Sequence, residues 1–292
     1  MHLLPLILSL ATVFTPSKAY WRGINIKSNL ADGTTCKTLS DYLSAYQTLK
    51  SFPNSINSAR LYSSWFCNTL SNALPSAIST DTKLLAGVSL ANFDNEKGAL
   101  LAAVKKYGFD WMVGVSVGSE DLYRGTVSPA TLAEMIYDVR GMLSEVSGYS
   151  NEVRVGHVDT TNAWTNASNS AVIRACNFVG TDIYPYFQTL QNNDISNAEN
   201  LFWNGVKQVR DAVSKAGGGA SVWVTETGWP VNGPTKGNAV PGTDNAETYW
   251  KGVACDVFGS LNAFWFTLQD WSAVPSFAIV GQDGERLYNL TC

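Results

Sequence analysis

The stretch SVWVTETGWP, residues 221–230, sets a short apolar strand against a carboxylate. Val222, Trp223 and Val224 are β-branched or aromatic and suit a buried strand. Glu226 follows at once, and Gly228 and Pro230 then break the strand and fix the turn. A glutamate in that place is aimed by a rigid element, and Trp229 beside it is a candidate wall for a ligand.

Seven more apolar runs resemble this one. They are YWRGINI from 20, INSARLYS from 56, KLLAGVSL from 83, WMVGVSVGS from 111, VRVGHVDT from 153, NFVGTDIYPYF from 177 and LNAFWFTL from 261. The eight runs start about 24 to 44 residues apart, with helix-like stretches between them. In SPATLAEMIYDVRGMLSEV, Ser128 can cap a helix and Pro129 suits its first turn. Leu132, Met135, Ile136, Val139 and Leu143 then form one apolar stripe. NAENLFWNGVKQVRDAVSKAGGG reads as a second helix, stopped by its glycines. Strands alternating with helices predict a parallel sheet, and eight repeats predict an α/β fold of one (β/α)8 TIM barrel over residues 20–292.

Composition narrows the function. Net charge is −4 and no basic stripe is present, which argues against nucleic acid. Charged residues are 15% of the chain, below the roughly 25% of average domains. The 10 Trp, 12 Tyr and 12 Phe suit either an aromatic core or a cleft whose rings stack on sugars.

LLPLILSLATVF followed by Ser17-Lys18-Ala19 reads as a signal peptide over residues 1–19, which predicts a secreted protein. No later run is long enough to span a membrane, and GERLYNLTC has no hydrophobic tail of the lipid-anchor kind. Secretion makes Asn166 and Asn289 usable glycosylation acceptors and permits disulfides. Of five cysteines, Cys176 lies in the apolar run VIRACNFVG and is read as the free one. Of the pairings left, Cys36 with Cys67 and Cys255 with Cys292 are the preferred ones. Beyond the leader His157 is the sole histidine and no C-x-x-C occurs, so a His/Cys metal site is not expected, and no cofactor is called for.

In such barrels the active site gathers at the C-terminal ends of the strands. Those ends carry Tyr62, Glu120, Asp159, Asp182, Tyr184, Tyr186 and Glu226. Glu120 and Glu226 stand on the fourth and seventh strands, across the barrel mouth from one another. Glycosidic cleavage needs such a pair: one carboxyl protonates the leaving oxygen, and the other meets the oxocarbenium-like carbon.

VWVTETGWP resembles the nucleophile motif of glycoside hydrolase family 17, the β-1,3-glucanases. VGSEDLYRG is similar to the acid/base segment of its fungal cell-wall glucanase and glucanosyltransferase members. DIYPYF and RLYSSWFCNTL resemble its strand-six and strand-two motifs. The resemblance covers most of residues 20–292. It implies a retaining enzyme acting on β-1,3-glucan, with Glu226 as nucleophile and Glu120 as acid/base; a cell-wall location and a monomer are expected. It also implies Tyr62 and Tyr184 in the sugar subsite at the break. Ser119 stands where the wider clan has an Asn that bonds the sugar 2-OH, so Ser119 and Asp159 join the substrate-binding candidates. Trp164, Tyr186 and Trp229 are candidate stacking rings for an acceptor sugar. The end of strand eight, FTLQDW, holds Asp270 and lacks the further acidic residues of plant members.

Two other readings compete. GVSVG, residues 114–118, matches the G-x-S-x-G elbow of serine hydrolases. Ser116 lies inside an apolar strand, however, and the next helix is expected only near Ser128. A non-catalytic glucan-binding wall protein is the other alternative, but a dead barrel would be expected to lose a glutamate.

Overall fold

The computed structural model describes residues 20–292, so the expected leader lies outside the described residues. Eight parallel strands close into one barrel in chain order. They are β1 (Arg22–Ile26), β2 (Ser58–Leu61), β3 (Lys83–Val88), β4 (Met112–Ser119), β5 (Val155–Thr160), β6 (Phe178–Asp182), β7 (Ser221–Glu226) and β8 (Ala263–Trp265). Each expected run supplies one of them. β1 closes on β8 through Arg22↔Ala263, Gly23↔Phe264 and Ile24↔Trp265.

Strand side chains alternate between the barrel interior and the helical layer. Leu85, Val113, Val158, Phe178, Trp223 and Phe264 form a small buried cluster of their own, one from each of six strands. Phe178 and Trp223 stack there, with centroids 4.0 Å apart and planes 11° apart. Two and four residues beyond Phe178 come Gly180 and Asp182, and two beyond Trp223 comes Thr225. The alternation therefore stacks a polar layer of buried Asn25, Arg60, Asp182 and Thr225 above the apolar plug.

The outer strand faces pack against the helices. The helix Pro129–Ser144 is capped by Ser128, whose side chain accepts from Thr131 N, and buries Leu132, Ile136, Val139 and Leu143. Each such side chain contributes about 1.5–3 kcal/mol by leaving water. The helix Ala198–Ala216 ends at Gly217 in the left-handed region, as its glycines predict. Among the described residues no helix is long and apolar enough to cross a membrane.

Two disulfides form, Cys36–Cys67 and Cys255–Cys292, with Cα atoms 5.3 and 5.5 Å apart, and Cys176 is free and buried. The first ties the loop after β1 to the loop after β2. The second is not the tail's only anchor. Leu290 is buried, and its carbonyl accepts from Trp250 Nε1 at 2.8 Å and Asn54 Nδ2 at 2.6 Å.

One local expectation is corrected. A one-turn helix, Asp121–Arg124, begins directly after β4 rather than near Ser128. Its N-terminal amides find an acceptor on β5, which the chain segment by itself does not reveal. The elbow reading fails with its serine: Ser116 is buried and its hydroxyl donates to Gly118 O at 2.8 Å.

Candidate active site at the strand ends

Both glutamates follow irregularities in the barrel ladder. Between β6 and β7 the register slips, so that Asp182 pairs with Glu226 after Thr181 has paired with Val224. Between β4 and β5 it slips between Ser116 and Ser119. Such bulges re-aim a side chain at a barrel rim. At Gly228 a Cβ would sit 2.5 Å from the Phe266 carbonyl oxygen, so only glycine lets the chain leave β7 along this path.

Glu226 is 8% exposed, and three donors hold its carboxylate. Tyr62 Oη donates to Oε1 and Tyr184 Oη to Oε2, each at 2.7 Å. Arg60 Nη1 donates to Oε1, also at 2.7 Å. Burial, and next the Glu226 charge, push both phenols well above their ordinary range, so they stay neutral donors. Tyr62 reaches its place because β3 passes close by: a Cβ on Gly87 would lie 2.3 Å from the Tyr62 carbonyl carbon.

Arg60 is the hub of the polar layer. Its Nη1 also donates to Thr225 O at 3.2 Å and Asn25 Oδ1 at 3.4 Å, while Nη2 donates to Ser119 Oγ at 3.0 Å. The guanidinium stacks 4.5 Å from the Tyr62 ring centroid. Burial opposes its charge, but Tyr62, Glu226 and Asp182 outweigh that and raise its pKa. Asn25 Nδ2 braces the same region, donating to Thr225 O and Phe264 O at 3.1 Å each.

Glu120 sits at φ +58°, ψ +26°, the left-handed region. For a residue with a Cβ this costs about 1–2 kcal/mol, and neighbours must sustain it. Glu120 N donates to Val158 O at 2.8 Å, and Ser119 N to Asp121 Oδ2 at 2.8 Å. Asp159 Oδ2 accepts from Leu122 N at 2.9 Å, pinning the turn that follows. Burial, and next the charge of Glu226, raise the Glu120 pKa; Arg124, with Nη2 2.6 Å from Oε2, opposes them. Two carboxyls in unlike surroundings result: Glu226 is held by a buried arginine and two phenols, and Glu120, paired only with a half-exposed arginine, is driven toward its acid form.

Other sequence candidates lie elsewhere than expected. Asp159 is fully buried, with Oδ2 also 3.0 Å from His157 Nε2 and Oδ1 accepting from Thr160 N, so it offers no oxygen to a sugar. Trp164 and Trp229 are each 1% exposed, and Tyr186 is fully buried. Their polar atoms bond backbone carbonyls: Trp164 Nε1 to Gly180, Trp229 Nε1 to Val240, Tyr186 Oη to Pro234. These rings wall the loops from behind and present no face to a ligand. Ser119 gives its hydroxyl oxygen to Arg60. The expected glycosylation acceptors Asn166 and Asn289 are exposed, and each side-chain oxygen accepts the N–H two residues on.

Sequence reasoning missed Arg60 and Asn25, and named Asp182 at its strand end without a role. Arg60 stands two residues before Tyr62, on the same strand face, and a lone charge inside an apolar strand is the signal that could have found it. Asp182 is buried between Glu226 and Thr225, whose hydroxyl donates to Oδ1 at 2.8 Å. Burial, and next the Glu226 charge, push it well above the carboxylate range, which favours its neutral form.

A groove of about 570 Å³ opens on the Glu120 side, lined by Tyr123, Tyr184, Phe187, Leu190 and Gln191. Tyr123, Phe187 and Leu190 are exposed. A larger cavity of about 1000 Å³ lies at the opposite barrel end, among Trp21, Asn177, Arg210 and Asn262, away from both glutamates.

The BtgE/BtgC glycoside hydrolase domain matches residues 23–278. The chain is 42% identical over 319 residues to an Aspergillus fumigatus protein named "Probable glucan endo-1,3-beta-glucosidase", covering all of this chain and 69% of that one. It is 34% identical to the Schizosaccharomyces pombe glucan 1,3-beta-glucosidase, covering 90% of this chain and 84% of that one. In fold it is similar to the glycoside hydrolase family 17 β-1,3-glucanosyltransferase of Rhizomucor miehei, with a TM-score of 0.77 at 23% identity over 92% of this chain and 98% of that one. An active-site mutant of the Rhizomucor miehei β-1,3-glucanosyltransferase, in complex with laminaritriose, also has a TM-score of 0.77 at 23% identity, covering 91% of this chain and 95% of that one. The barrel, the paired glutamates and these matches together show that the chain belongs to the BtgE/BtgC glycoside hydrolase domain family.

Proposed function

We propose that the chain is a retaining enzyme that cleaves internal β-1,3-glucosidic bonds and passes the glycosyl part to another glucan or to water. The observation that carries this reading is the unequal setting of the two glutamates. Glu226 is ion-paired to Arg60 and bonded by two phenols, whereas Glu120 is driven toward its protonated form. The relatives' names and the laminaritriose complex support β-1,3-glucan as substrate.

In the first step a Glu226 oxygen attacks the anomeric carbon. The carbon–oxygen bond to the leaving sugar breaks as that oxygen takes the Glu120 proton. A covalent glycosyl-enzyme results. In the second step the Glu120 carboxylate takes a proton from an incoming hydroxyl, whose oxygen attacks the same carbon and releases Glu226. Two inversions retain the configuration. The acid serves the leaving group, so the groove on the Glu120 side is the place for leaving and acceptor sugars. Its exposed Tyr123 and Phe187 rings favour a sugar acceptor over water. The leader sequence, two disulfides and two exposed glycosylation acceptors support a secreted, cell-wall location. One barrel holds the whole site, so a monomer suffices.

The test is azide rescue. Glu226→Ala should be inactive, with azide restoring an inverted product. Glu120→Ala should keep activity on substrates with a good leaving group, with azide giving a retained product. The opposite stereochemistries would reverse the two roles. Products longer than the substrate at high oligosaccharide concentration would establish transfer, and short products alone hydrolysis.

A further inference from the structure

Two exposed aromatic rings lie outside the site described so far. Trp65 is 40% exposed and Phe66 is 49% exposed, in the loop that follows β2 and Tyr62. Among the described residues neither ring pairs with another aromatic. Their backbone is nevertheless held from several directions. The buried Glu96 carboxylate accepts from Ser64 N at 2.5 Å, Trp65 N at 3.0 Å and Phe66 N at 3.5 Å, and from the Ser63 hydroxyl. Ser64 Oγ donates to Gly87 O of β3 at 2.7 Å. The next residue, Cys67, is bonded to Cys36 and stands at φ +56°, with Asn68 at φ +51°. A buried carboxylate, a disulfide and two left-handed residues therefore fix a loop whose two large rings face water. Leaving apolar rings in water on a rigid backbone is unfavourable unless something covers them.

Their position says what covers them. Tyr62 bonds Glu226, so it stands beside the sugar that becomes attached to the nucleophile. Trp65 is three residues on, within about 10 Å of Tyr62 along the chain. The groove of Tyr123, Phe187 and Leu190 takes in Glu120 and Tyr184, and neither Trp65 nor Phe66 lines it. Trp65 and Phe66 thus lie apart from the groove that opens beside the acid, on the loop that leaves Tyr62.

We propose that Trp65 and Phe66 are a stacking platform for the distal units of the donor β-1,3-glucan chain and set the length of donor the enzyme prefers. This rests on the proposed function. A platform fixed before binding loses little freedom when a chain settles on it. Each ring therefore favours long donors, and short donors that end before the platform gain nothing from it.

The test is kcat/KM over laminari-oligosaccharides of increasing length, for the wild type, Trp65→Ala, Phe66→Ala, the double variant and Trp65→Phe. Both rings are half-exposed, so the variants should fold, which thermal melts would verify. Longer donors should lose about three- to tenfold per ring removed. The shortest cleaved donor should be unchanged, and Trp65→Phe should keep most of the preference. An equal loss at every length, or no loss at any, overturns the proposal. A wild type inert on every oligosaccharide overturns the functional reading and this proposal with it.

Discussion

Arg60 Nη1 lies 2.7 Å from Glu226 Oε1, inside the barrel, with the arginine side chain 1% exposed. The two residues are 166 positions apart and meet because β2 and β7 both end in the polar layer. Desolvating both charges is expensive, and their attraction offsets it only while each keeps its partner. Arg60→Met should therefore cost about 3–5 kcal/mol, since it leaves the Glu226 carboxylate buried and unpaired. Arg60→Met combined with Glu226→Gln should cost less than Arg60→Met alone. Denaturant unfolding of the two variants measures this. A double variant less stable than the single would refute an ion pair whose main cost is desolvation.

Activity should fall as pH rises through the raised pKa of Glu120, because glycosylation needs its proton. Arg124 is the group that opposes the rise. Arg124→Ala should move the alkaline limb of kcat/KM upward. Arg124 is 59% exposed and screened by water, so the move should be small. A limb that moves downward would contradict the assignment of Glu120 as the acid.

Asp182 should behave as an acid that never gives up its proton at working pH. A carboxyl whose pKa is raised on folding binds its proton more tightly in the folded chain. Its contribution to stability is full below the unfolded value, near the ordinary 3.8, and is lost as pH rises through the folded value. Asp182→Asn keeps an oxygen for the Thr225 hydroxyl and has nothing to ionise. The variant should stay active and gain stability over the wild type as pH rises. Thermal melts across the pH range would show the gap widening. A gap that widened toward acid would mean that Asp182 is ionised.

The barrel was legible because its signals are local. Each strand is a run of apolar residues, and the helix after Ser128 shows its stripe and its cap. Glu120 and Glu226 were legible because each directly ends such a run. What the chain did not disclose depends on distant partners. Trp164, Tyr186 and Trp229 suit a stacking role or a core equally by residue type, and each bonds a carbonyl from another part of the chain and turns inward. Residue type says that a ring wants cover, not whether protein or sugar supplies it. Trp65 and Phe66, in the motif that carries Tyr62, stay exposed instead. Arg60 was passed over because a strand that looks apolar gives no sign that a carboxylate from β7 will neutralise one charge inside it.

Asp159 was read as a ligand for sugar and instead carries the turn behind the acid. Its Oδ2 accepts from Leu122 N at 2.9 Å and faces His157 Nε2 at 3.0 Å. Those contacts hold the residues just after Glu120, which is itself in a backbone region that it would leave if released. Asp159→Ala strands the part-buried Leu122 amide, at about 1–3 kcal/mol for a donor left unpaired, and leaves His157 Nε2 without its partner. It should also let Glu120 relax away from the leaving oxygen, so kcat should fall while KM changes little. Asp159→Asn keeps an oxygen for Leu122 N and should recover much of the rate. The deciding comparison is between substrates. On an aryl glucoside with a good leaving group, little protonation is needed, so Asp159→Ala should lose much less than on a laminari-oligosaccharide. Equal losses on both would mean that Asp159 supports the barrel in general and does not position the acid.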